Sequence, residues 1–139
     1  MKMNLFKRFG LALLLAVGLG TTANAANLTT QTVSSDFTLS LAAAAGGGDA
    51  FLNDGRTFFV VTNGGGSPIT VTVGVQHTSI KVPGLGSVTF AAIPVTVNAG
   101  VTKWIAVPKG PYNDSNGRVQ ITYSGVTSVT VGAVRVPEL

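Results

Sequence analysis

Few residues in this chain are able to carry acid–base, nucleophilic or metal chemistry. One histidine, His77, and five carboxylates serve 139 residues, and there is no cysteine. Covalent hydrolysis needs a nucleophile, a base within hydrogen-bond reach and a third group that orients the base. No Gly-x-Ser-x-Gly elbow is present and there is no thiol. His77 falls at the end of an alternating stretch, in parity with Val73 and Val75, which reads as a strand-end rim position. Glycoside hydrolysis needs two facing carboxylates. Glu138 lies next to the C-terminus, and the other acids fall in turns or near the first strand. The runs Gly46-Gly47-Gly48 and Gly64-Gly65-Gly66 are followed by neither a Lys-Ser/Thr pair nor a helical pattern, so they are not phosphate loops. The expectation is a non-enzymatic protein without a cofactor.

Two segments repeat one pattern. Asn53-Asp54-Gly55-Arg56 opens one strand, and Asn113-Asp114-Ser115-Asn116-Gly117-Arg118 opens another. Asx side chains cap nearby backbone amides and glycine takes a positive φ, so both segments read as capped turns. Asp49, Asp54, Asp114 and Asn116 also offer the hard oxygen atoms that Ca²⁺ prefers. Their spacing is not that of an EF-hand loop and no Glu accompanies them, so calcium is the weaker reading.

The N-terminus has the layout of a secretory leader. Lys2, Lys7 and Arg8 precede an apolar stretch from Phe9 to Leu19, and Ala23-Asn24-Ala25 supplies small residues one and three positions before a cut. The stretch is far short of the ~20 residues that span a bilayer. A signal peptide over residues 1–25, cleaved between Ala25 and Ala26, is expected, with one domain over 26–139. The product would be exported to the periplasm, the cell surface or the extracellular space, without a membrane anchor once the leader is removed. Loss of Lys2, Lys7 and Arg8 leaves six basic against five acidic residues, a net charge of +1. That balance gives no basic patch for nucleic acid.

Beyond the leader the pattern is period two, interrupted by Gly, Pro and Asn clusters. Strands are expected at 37–41, 57–62, 69–75, 88–92, 95–97, 101–107, 118–124 and 127–136, the last bulged near Gly132. Residues 44–55 and 108–117 read as loops, which places Phe51 and Tyr112 in loops. Trp104 reads as a core residue. Seven to eight short strands with frequent turns predict an all-β domain, a single β-sandwich or jelly roll.

The run from Gly47 through Asp49, Phe51, Asn53-Asp54-Gly55-Arg56 and Thr57-Phe58 resembles one found in small tailed-phage minor virion proteins of the head or neck. The likeness continues through Val61-Thr62-Asn63-Gly64, Pro68 to Val73, Val95-Thr96-Val97, Tyr112-Asn113-Asp114 and Val126 to Val136. Relative to that family this chain has an added leader and a different segment at 79–92. The resemblance implies a non-catalytic domain that docks to copies of itself or to a larger shell. Composition leans the same way. Polar strand positions such as Thr70, Thr72, Thr96, Thr102, Gln120, Thr122 and Thr130 are uncharged, so faces are able to meet without desolvating ions. Residues 26–35 are polar and β-prone, suited to pairing with a neighbour's sheet edge. A homo-oligomer or larger protein assembly is therefore the expected partner state. The alternative is a secreted binding module, such as an adhesin or a carbohydrate-binding domain.

N-terminal sequencing of the exported product is expected to begin at Ala26. A product that keeps Met1 and fractionates with membranes refutes the leader.

Overall fold

The computed structural model describes residues 25–138; the apolar stretch 9–19 and Ala23, read above as parts of a leader, lie outside them. All the regular structure described is β. In chain order the strands are β1 (Ala26–Leu28), β2 (Thr30–Thr32), β3 (Ala42–Ala43), β4 (Asp49–Leu52), β5 (Thr57–Asn63) and β6 (Ile69–Val73). They continue with β7 (Ser79–Val82), β8 (Gly86–Thr89), β9 (Ile93–Val97), β10 (Thr102–Ala106), β11 (Arg118–Tyr123) and β12 (Val129–Arg135). One sheet has the order β1-β4-β11-β6-β9; the other is β10-β5-β12-β2, with β3 also paired to β12. Two layers enclose a single apolar cluster, so the β-sandwich reading holds, with twelve strands rather than seven or eight.

The layers meet through alternate residues. Val71, Val73, Val119, Ile121 and Phe51 point inward from the first sheet, and Phe59, Val61, Ile105, Val129, Val131 and Ala133 from the second. Phe51 and Phe59 stack across the gap with centroids 5.7 Å apart, and Tyr123 lies 6.5 Å from Phe59. Phe51 is thus a core residue on β4, not a loop residue. The Gly-rich run before it suggested a loop, but only its first part is one. Gly48 sits at φ +94, and a Cβ there would meet the Ile121 carbonyl oxygen at 2.5 Å. Only glycine lets the chain turn this tightly against β11 before entering β4.

β12 pairs with β5 in unbroken register from Val129↔Asn63 to Arg135↔Thr57, without the bulge expected at Gly132. The change of apolar parity has another cause. Val60 and Val134 are fully buried although they face away from the inter-sheet core, so this part of the second sheet is covered on both sides. The outer cover is the 37–41 segment. It alternates like a strand yet forms no ladder. The Gln31 amide holds it instead, donating to the Ser40 carbonyl at 2.7 Å and accepting from the Ser40 amide at 2.9 Å. A Cβ on Gly132 would lie 3.0 Å from Leu41 and 3.1 Å from the Ser40 oxygen, so the glycine makes room for this chain.

The N-terminal segment serves both sheets of its own domain. β1 runs parallel to β4, and β2 runs parallel to β12. Residues 26–32 thus pair within the chain on one side, and among the described residues β1 and β2 are edge strands whose outer sides are left unpaired.

Phe51→Ala is expected to lower unfolding free energy by about 3–5 kcal/mol, because it opens a cavity where the two sheets stack. Urea unfolding of the mature chain measures this.

Candidate functional site

The two Asx segments converge at one end of the sandwich. Asn53, 3% exposed, follows β4 directly, and Asn113 lies in the loop before β11. The Asn53 amide group donates to the Val107 carbonyl and to Asn113 Oδ1, each at 3.0 Å. Asn113 answers by donating to the Asn53 carbonyl at 2.7 Å. Asn53 Oδ1 accepts from the Gly55 amide at 3.0 Å. The two side chains supply donors to the Val107 and Asn53 carbonyls, which lie beyond the ends of the strand ladders. A buried amide stripped of such partners costs about 1–3 kcal/mol.

The neighbouring carboxylates are turned onto the same loops. Asp54 Oδ1 accepts from the Arg56 amide at 2.9 Å and the Thr57 hydroxyl at 3.1 Å, while Oδ2 meets Arg135 of β12. The Arg135 side chain first, then the Arg56 amide, hold the Asp54 carboxyl at about 2, below the ordinary 3.8. Asp114 accepts from the Asn116 amide at 2.8 Å, the Arg118 amide at 2.9 Å and the Gln120 side chain at 3.1 Å. The Arg118 amide is the main cause of its lowered pKa. A second ion pair, Arg56–Glu138, joins the start of β5 to the C-terminal segment.

Between these loops and β2 lies a cleft of about 390 Å³. Asn53, Asp54 and Asn113 contribute to its lining together with Thr30, Lys109 and Arg135. Its polar groups are largely engaged with one another, the Thr57 hydroxyl with Asp54 among them.

The calcium candidates are not brought into one coordination sphere. Asp54 and Asp114 cap separate turns, and the Asn116 contact recorded is through its backbone amide. Asp49 is 1% exposed, on the first residue of β4, and accepts from Tyr123 and the Ala45 amide. Among the described residues no three His, Cys, Asp or Glu side chains gather to hold a metal. His77 is exposed, and its backbone amide bonds the Pro111 carbonyl at 3.0 Å.

The aromatic residues fall otherwise than the sequence suggests. Trp104 is 52% exposed on β10, edge-on to Phe58 with centroids 6.4 Å apart. It pairs with Val60 on the outer face, while its neighbour Ile105 pairs with Phe59 on the inner one. Parity alone decides this, since Ile105 and Val107 take the core side. Tyr112 is half-buried and donates to the Ala91 carbonyl at 3.2 Å.

The main exposed apolar feature is the β7–β8 hairpin. Every residue of β7 is exposed, and Leu85 at its tip is 75% exposed beside Ile80 and Val82. Its turn, Val82 to Leu85, closes with the Leu85 amide on the Val82 carbonyl at 3.0 Å, and Gly84 sits at φ +78. Proline second and a positive-φ glycine third define a type II turn. The hairpin base is tied to the body where the Gln76 and His77 amides meet the Pro111 carbonyl. Its sequence signal was weak because glycines and Pro83 interrupt a short pattern.

A scan against protein-family models finds no match for the chain, and neither curated proteins nor solved structures give one.

Asp54 is lowered in the folded state, so its contribution to stability is complete above the ordinary 3.8 and is lost as pH falls through about 2. Melting curves of wild type and Asp54→Asn are expected to differ most at pH 5 and above, and to converge only below about pH 2. An equal gap at both ends refutes the ion-pair role.

Proposed function

We propose that the chain is exported, cleaved before Ala26, and acts outside the cytoplasm as a non-enzymatic structural or assembly subunit that associates through its β7–β8 hairpin with further copies of itself. The observation that carries this reading is a well-formed hairpin that contributes nothing to the core. An isolated two-stranded hairpin is marginal in water. One whose exposed residues include Ile80, Val82 and Leu85 gains most when a partner covers it. Two of the sheet edges are poor docking sites. Pro94 blunts the β9 edge and Lys103 the β10 edge, devices that discourage strand addition. The likeness to minor virion proteins supports the same class of role, and the hairpin coincides with the segment in which this chain departs from them.

A secreted binding module is the second reading, favoured by one observation: a half-exposed Trp104 edge-on to Phe58 offers an apolar face to a sugar ring. Quenching or a blue shift of Trp104 fluorescence on titration with soluble polysaccharides would support it.

Sedimentation of the mature chain is expected to show oligomers at high micromolar concentration. Replacing residues 80–88 with a short Gly-Ser turn is expected to leave a monomer with an unchanged melting temperature. A wild-type chain that stays monomeric removes self-assembly, and oligomers that survive the replacement remove the hairpin from it.

A further inference from the structure

A second cavity, of about 360 Å³, lies beneath the N-terminal segment. Ala26, Gln31, Ala42, Asp49 and Gly132 are among the residues that line it. Asp49 is 1% exposed, and both of its hydrogen-bond donors fall on one oxygen: the Tyr123 hydroxyl at 2.6 Å and the Ala45 amide at 3.1 Å both reach Oδ2. The other oxygen, Oδ1, is buried and has no partner among the described residues. Burial, reinforced by the adjacent Asp49, raises the pKa of Tyr123 far above the usual phenol range, so it remains a donor here. A buried acceptor left without a donor is costly, more so when it is charged. Something must be supplied to Oδ1.

The strand register indicates what. Ala26 is the direct partner of Asp49 in the parallel β1–β4 pair, and its amide donates to the Gly48 carbonyl at 3.0 Å. Partnered residues in a sheet share a face, and neighbouring strands lie about 4.8 Å apart. Ala26 and Asp49 therefore lie side by side on adjacent strands and line the same cavity, with Ala26 at its exposed mouth. As a peptide nitrogen, that of Ala26 has one hydrogen, already given to Gly48. Ala25, just before it, is exposed. Hydrolysis by a signal peptidase breaks the Ala25–Ala26 C–N bond. The water oxygen goes to the Ala25 carbonyl carbon, leaving a carboxylate, and the Ala26 nitrogen becomes an ammonium. One of its three hydrogens stays on Gly48, two become free, and it gains a positive charge.

We propose that this cavity is a site for a primary ammonium, filled by the chain's own α-amine at Ala26 after the leader is removed, with Asp49 Oδ1 as its counter-ion. The inference rests on the cleavage stated under the proposed function and adds what that cleavage does to the fold. The precursor has the same strand without the cation. Leader removal then tightens β1 onto β4 and completes the strap across both sheets. The cleaved end is the ligand, so its position matters to the residue: an extra N-terminal residue moves the ammonium away from Asp49.

The test compares mature chains with defined N-termini, prepared by a tag protease that leaves Ala26 free: the free chain, its Nα-acetylated form and a form extended by Gly-Ser, each with Asp49 and with Asp49→Asn. The free chain is expected to melt about 5 °C or more above the acetylated and extended forms. The difference should vanish in Asp49→Asn, which keeps the shape of the side chain. In the folded free chain the Ala26 amine should also be acylated at least ten times more slowly than in urea, read by peptide mass spectrometry. Equal melting of the free and blocked chains, or a difference that persists in Asp49→Asn, overturns the ammonium site. So does CaCl₂ restoring the blocked chain to the free chain's melting temperature through Asp49, which would make the site a metal site. The cleavage reading fails separately, when the exported product begins at a residue other than Ala26. That result overturns the proposed occupant, whatever the melting pair shows.

Discussion

The pairing of β5 with β12 is the constraint that most of the molecule answers. These two seven-residue strands run in unbroken register through the centre of one sheet and are apolar on both faces. A sheet face that is apolar must be covered, because each buried Val or Phe side chain is worth about 1.5–3 kcal/mol over its exposed state. The inner face is covered by the opposite sheet through the Phe51–Phe59 stack. The outer face has no third sheet available, so irregular chain does the work. The 37–41 segment crosses it, Gly132 gives it room, and Gln31 satisfies the Ser40 backbone groups that a ladder would otherwise have satisfied. On the same face Trp104 lies against Phe58 and stays half-exposed.

Where alternation and burial agree, the strands are legible in the sequence. The segments 57–62, 69–73, 118–123 and 129–135 lie where their Val, Ile and Phe spacing puts them. Where they disagree, it misleads. Phe37, Leu39 and Leu41 alternate cleanly, yet a side-chain amide rather than a neighbouring strand holds their backbone. β4 was hidden for the opposite reason: Asp49-Ala50-Phe51-Leu52 has no long alternation and follows three glycines, and only its placement between β1 and β11 makes it a strand. The Asx segments announce turns. Their meeting does not show in the sequence, because Asn53 and Asn113 are 60 residues apart and local capping explains each by itself. The partnerless Oδ1 of Asp49 was equally invisible, since its burial depends on the strap above it.

Charge is sparse, and its placement follows one logic. Both ion pairs, Arg135–Asp54 and Arg56–Glu138, tie the last strand and the C-terminal segment to the turn that opens β5. They are partly exposed, so each is worth little alone. Arg135–Asp54 is set beside the interlocked Asn53–Asn113 amides, where it adds to a network that already holds the loops. The β-faces are left with threonine. Thr62 and Thr102, for example, share a hydrogen bond at 2.7 Å across the β5–β10 pair. A surface of this kind carries little ionic repulsion.

The N-terminal strap links these levels. β1 and β2 are three residues each and pair in parallel, a geometry slightly weaker per residue than the antiparallel pairs elsewhere. So short a pair is held poorly by its ladder alone. β2 has two further anchors: Gln31 grips the outer cover, and the Thr30 hydroxyl donates to the Leu52 carbonyl at 3.4 Å. β1 has Leu28 packed on the core but no polar anchor of that kind, and it lies directly over the one buried side-chain atom left without a partner among the described residues. A short, thinly anchored strand and the unmet acceptor therefore coincide. The positive charge proposed at Ala26 would answer both, since it would satisfy Asp49 and fix the end of β1 in the same step. On the proposed reading, cleavage before Ala26 would secure an edge strand that, unlike β9 with Pro94 and β10 with Lys103, carries no blunting residue of its own.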